Sequence, residues 1–78
     1  MTDVQQRLVA LGNAVRALRE ERELTADALA AGAGVDPVQL ASLEAGQLDP
    51  DFDFLLRVAH ALGTGVATIV IRSEGEAP

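Results

Sequence analysis

Leu24-Thr25-Ala26-Asp27-Ala28-Leu29-Ala30-Ala31-Gly32-Ala33-Gly34-Val35-Asp36-Pro37-Val38-Gln39-Leu40-Ala41-Ser42-Leu43-Glu44-Ala45-Gly46 holds two helix starts and two helix stops in close succession. Thr25 is a capping residue, and Asp27 in the following turn suits the positive end of a helix dipole. That helix, expected over 26–32, turns Leu29 and Ala30 inward. It ends at Gly34, where the chain needs a left-handed residue to turn off. Asp36-Pro37-Val38-Gln39 then starts a second helix. Asp36 caps, proline fits the first helical position, and Gln39 completes a capping box. This helix covers 37–44, buries Leu40 and Leu43, and stops at Gly46. Val35 is an apolar plug between the two.

Working outward, Val4, Leu8, Leu11, Val15 and Leu18 recur in steps of four and three, which makes one helical stripe over 4–22. Gly46 to Pro50 is a loop, because a residue before proline avoids the helical region. Asp51 caps a helix over 52–62, with Leu55, Val58, Ala59 and Leu62 inward, Phe54 at its edge and Gly63 at its end. A fifth helix over 65–71, capped by Thr64, is expected. Its β-branched residues Val66, Thr68, Ile69, Val70 and Ile71 also suit a strand, so pairing of two such segments in a dimer stays open. Residues 73–78 are polar and acidic and read as a disordered tail. The expected organisation is a compact all-α, five-helix domain over 1–72, followed by that tail.

The 78 residues are too few for two ordinary domains. Half of them are apolar but only Phe52 and Phe54 are aromatic, so Leu, Val, Ile and Ala must fill the core. Without cysteine, disulfides and thiolate metal sites are excluded, and one histidine, His60, does not make a zinc site. His60 points off the inner stripe of its helix and reads as a surface residue. No metal or cofactor is expected. There is no signal-peptide pattern and no apolar run of membrane-spanning length, so a cytoplasmic protein is expected. No nucleophile–base set, carboxylate cleft or phosphate loop is visible, and Gly63-Thr64-Gly65 reads as a helix junction. The chain is not expected to be an enzyme.

Two short helices joined by a glycine-containing turn meet the mechanical requirement of a helix-turn-helix. From Leu11 to Gly65 the chain resembles the lambda/434 repressor and Cro family. Ala14-Val15-Arg16-Ala17-Leu18-Arg19-Glu20-Glu21-Arg22 is similar to its first helix, and Leu24-Thr25-Ala26-Asp27-Ala28-Leu29-Ala30 to its second. Gly34-Val35 matches the turn. Leu40 and Leu43-Glu44-Ala45-Gly46 match the end of the recognition helix. The resemblance implies a repressor-like DNA-binding domain whose helix-turn-helix is formed by helices 2 and 3. It implies an ion pair between Arg19 and Glu44. It places DNA contacts at Thr25, Ala26, Pro37, Val38, Gln39, Ser42 and Gln47.

The charge pattern pulls the other way. Twelve acids against six arginines and no lysine give a formal charge of −6, and duplex DNA attracts positive surface. Between Leu24 and Pro50 lie Asp27, Asp36, Glu44 and Asp49 but no base. Ala26 stands where the family commonly has glutamine. Only Gln39 and Ser42 offer ready hydrogen bonds to bases or phosphates, while Val38 or Ala41 suits a thymine methyl. Arg7, Arg16 and Arg22 on helix 1, and Arg57 on helix 4, are the remaining cations, each an ordinary solvated residue on the simplest reading. The leading expectation is a sequence-specific DNA-binding transcriptional regulator acting as a homodimer through Val66, Val70 and Ile71. The alternative is a protein-interaction module that kept the fold and lost DNA binding.

Overall fold

The computed structural model describes residues 3–76. Its five helices are α1 (Asp3–Glu21), α2 (Ala26–Ala33), α3 (Pro37–Glu44), α4 (Phe52–Ala61) and α5 (Val66–Glu76). Three start on side-chain caps. Thr25 accepts from the Ala28 amide at 3.0 Å, Asp36 from Val38 at 2.7 Å and Asp51 from Phe54 at 2.8 Å. Each satisfies an amide that has no partner within its helix. Gln39 is exposed and adds no reciprocal bond, so the capping box expected there does not form. Asp36 alone caps the Val38 amide, the first N–H of a helix that begins with proline.

Left-handed glycines close the turns. Gly34 (φ 68°) donates to the Ala30 and Ala31 carbonyls and turns the chain from α2 into α3. Gly46 (φ 75°) ends α3, with the Gln47 amide donating to Ser42 O at 2.9 Å. Both are positions where a side chain would strain the backbone.

The core takes Ala14, Val15 and Leu18 from α1, Leu29, Ala30 and Ala33 from α2, and Leu40 and Leu43 from α3. Leu55, Val58, Ala59, Leu62 and Ile69 complete it. Burying one of its leucines stabilises the fold by roughly 1.5–3 kcal/mol. Val4 lies outside, 62% exposed, so the α1 stripe meets the core only further along the helix. α1 packs against α5 on one side and α3 on another, while α2 packs against both α3 and α4.

The segment read as helix over 65–71 is helical, with two differences. Gly65, not Thr64, precedes it. The Thr64 amide closes α4 on Ala59 O, and the Gly65 carbonyl accepts from Thr68 and Ile69. The helix also continues to Glu76, where a disordered tail from residue 73 is expected. Non-local contacts account for this. Ser73 is buried against the rest of the domain, and Arg72 pairs with Glu21 on α1. The rest of the expected tail, 77–78, lies outside the described residues. No single helix among the described residues is long and apolar enough to cross a membrane.

Candidate nucleic-acid interface

α3 is fixed by one face and open on the other. Leu40 and Leu43 are fully buried, while Pro37, Val38, Gln39, Ala41 and Ala45 are exposed and Ser42 is half-buried. Thr25 is exposed and Ala26 half-buried at the start of α2, and Gln47 is exposed just beyond α3. Thr25 Oγ1 accepts from the Ala28 amide, so its hydroxyl is already in use as a cap. Ala26 leans on the core and offers no polar group.

The anchoring of α3 to α1 is unusually tight at Gly12. A Cβ there would lie 2.2 Å from Leu43 O and 2.8 Å from Glu44 O. Only a residue without a side chain lets the two backbones approach this closely. Gly46 makes a second close approach, since a Cβ there would sit 2.7 Å from a Val9 methyl.

Arg19 and Glu44 complete the junction. Arg19 Nε donates to Glu44 Oε2 at 2.8 Å and Nη2 to Oε1 at 3.0 Å, a fork matching both carboxylate oxygens. Nη1 donates to Leu24 O at 2.8 Å, which brings the start of the helix-turn-helix into the same network. The side chains are 14% and 10% exposed, and the hydrogen bond that Arg19 donates to Glu44 raises the Arg19 pKa, against the opposing effect of burial. The pair orients α3 and leaves no carboxylate oxygen of Glu44 facing outward unbound.

The other cations are distributed differently from a uniform solvated set. Arg22 donates from Nε to Leu62 O at 2.5 Å and from Nη1 to Leu18 O at 3.2 Å, tying α1 to the end of α4. Arg57 pairs with Asp53 one turn away at 2.9 Å on an exposed face. Arg16 is exposed and, among the described residues, bonds only the neutral Asn13 amide, at 2.7 Å. His60 is exposed. On α5, Val66 packs partly on the core, whereas Val70 and Ile71 are 40% and 67% exposed. The structural contribution of Gly12 and Arg22 has no signal in the local sequence, because their partners lie far along the chain.

A helix-turn-helix domain family model matches residues 10–69. The chain belongs to the helix-turn-helix domain family. Solved structures agree with this. The clp gene regulator ClgR from Corynebacterium glutamicum is 35% identical, with a TM-score of 0.88 and 92% of each chain covered. The restriction-modification controller protein C.AhdI from Aeromonas hydrophila is 29% identical with a TM-score of 0.78, over 80% of this chain and 94% of that one. An HTH_3 family transcriptional regulator from Vibrio cholerae is 28% identical with a TM-score of 0.80, over 90% of this chain but 39% of its own. This helix-turn-helix domain is thus of the small, all-helical, Cro-like kind. No curated protein sequence matches it.

Proposed function

We propose that this helix-turn-helix protein is a sequence-specific DNA-binding transcriptional regulator in which α3 enters the major groove and α2 lies across the backbone. The observation that carries the reading is the two-sided construction of α3. Its inner face is locked to α1, while Val38, Gln39 and Ala41 stand clear of the domain with Ser42 at their edge. The similarity to ClgR, C.AhdI and the Vibrio cholerae regulator supports the same reading. Gln39 and Ser42 supply the polar contacts, Val38 an apolar one, and Gln47 reaches the backbone. A cytoplasmic location accompanies this role.

The regulator acts as a homodimer through α5. Val70 and Ile71 follow Ile69, which is fully buried in the same helix, and leave two large apolar side chains at the surface. Two copies would place one α3 in each half of a pseudo-palindromic site, about 34 Å apart. Sedimentation at tens of micromolar should show a dimer, and a monomer mass there overturns an obligate one.

The test of DNA binding is a pull-down from fragmented genomic DNA, followed by binding measured across salt. Discrete fragments should be enriched, and log affinity should fall linearly with log salt. Folded protein that retains no duplex at low salt overturns the reading. That outcome would favour a protein-interaction module instead, a role supported by the exposed Asp27, Asp36 and Asp49 around a largely alanine-lined face.

A further inference from the structure

Positive charge is scarce in this chain, and most of it is used internally. Of six arginines, Arg19, Arg57 and Arg72 pair with carboxylates and Arg22 holds two backbone carbonyls. Arg7 lies beside α5, in a groove that also contains Asp3 and Glu74. Arg7 and Arg16 both lack an ion pair among the described residues, but the one beside the helix-turn-helix is Arg16. It is exposed, and its hydrogen-bond partner is the neutral Asn13 side chain.

Its position is as informative as its charge. Arg16 and Asn13 line a concavity of about 390 Å³ with Val9, Ala26, Ala41, Glu44 and Ala45. This hollow lies where α1, the start of α2 and the outer flank of α3 meet. Glu44 is on its wall, but Arg19 binds both carboxylate oxygens. The walls contributed by Ala26, Ala41 and Ala45 are methyl groups, which leave space and supply no donors. Ala41 and Ala45 follow Val38 at helical spacing on one side of α3, so Arg16 stands at the rim of the exposed recognition face. A cation at that rim meets the phosphates bordering the groove rather than the base edges within it. A guanidinium has five N–H donors, enough to keep Asn13 as a partner and bind a phosphate through two more.

We propose that Arg16, oriented by Asn13, holds a backbone phosphodiester of duplex DNA beside the groove that α3 occupies. The assignment rests on the DNA-binding reading above and adds a contact from outside the helix-turn-helix itself. It supplies from α1 the phosphate contact that Ala26 and Ala45 do not make.

The experiment measures the salt dependence of binding to random-sequence duplex and to the fragments enriched by the pull-down. Wild type, Arg16→Gln, Arg16→Lys and Asn13→Ala are compared. Arg16→Gln should weaken binding several-fold to all duplexes and lower the salt slope by about 0.9 per bound copy, with sequence preference retained. Arg16→Lys should restore the slope. Asn13→Ala should weaken binding while keeping the slope, because the charge remains. Thermal unfolding should be unchanged in Arg16→Gln, since the side chain is exposed. A wild-type slope in Arg16→Gln overturns the proposal while leaving DNA binding intact. Wild type that binds neither duplex overturns both readings together.

Discussion

On its inner side α3 lies so near α1 that a methyl group on Gly12 would meet the Leu43 carbonyl oxygen at 2.2 Å. On its outer side the same helix exposes Val38, Gln39 and Ala41 to solvent. Shape governs the first side: two backbones in contact, a forked ion pair and two fully buried leucines. The second has few functional groups and little charge. One helix is thus held by one face and open on the other, which separates substitutions that should alter stability from those that, in the proposed complex, should alter recognition.

The largest effect should come from Gly12→Ala. In an exposed helix interior this change would stabilise by up to ~1 kcal/mol. Here the added methyl meets backbone, which cannot rotate away, and the loss should be about 3 kcal/mol or more. Urea or thermal denaturation reads the sign directly, and a gain in stability would mean that α1 and α3 are less tightly apposed than described.

Glu44→Ala should follow, at about 2 kcal/mol, less than for a fully enclosed pair because both side chains retain some exposure. It strands the Arg19 guanidinium beside Leu24 O. Replacing Arg19 and Glu44 together by methionine should cost less than the two single losses combined. A double-mutant cycle with no coupling would remove the pair from the junction.

On the outer face, Gln39→Ala should leave the unfolding curve within about 0.5 kcal/mol of wild type. It should reduce preference for the enriched DNA fragments over random duplex. Unchanged preference would take Gln39 out of the readout set.

The smallest effect concerns Glu21 and Arg72, which join α1 to the last turns of α5. The hydrogen bond from Arg72 lowers the Glu21 pKa below its ordinary 4.5, with desolvation acting the other way. A depressed carboxylate contributes stability above its unfolded pKa and loses it as pH falls through the folded value. The melting-temperature difference between wild type and Glu21→Gln should therefore be small at neutral pH and vanish below the carboxylate range. A difference that grows on acidification would contradict the pairing.

Much of the fold is legible because its signals are local. Thr25, Asp36 and Asp51 sit next to the helices they cap, and Gly34 and Gly46 next to those they end. The residues named for α3 do lie on its outer side, and Arg19 does meet Glu44. What stayed hidden depends on distant partners. Gly12 reads locally as a weak point in a helix, until the Leu43 and Glu44 carbonyls are placed against it. The extension of α5 beyond residue 71 depends on Glu21 and on burial of Ser73, against a composition that reads as tail. Arg16 gains its significance only when α2 and α3 bring Ala26, Ala41 and Ala45 around it.

The placement of α1 between α5 and α3 also has a metric consequence. Among the described residues, no linker separates Val70 and Ile71 from the outer face of α3; the path between them runs through packed helices. In the proposed dimer the two α3 helices are then held at a set distance and angle, with little slack to absorb error. Adding one base pair between half-sites moves one by about 3.4 Å and turns it by roughly 35°. In that dimer the domain would gauge operator spacing as well as read sequence.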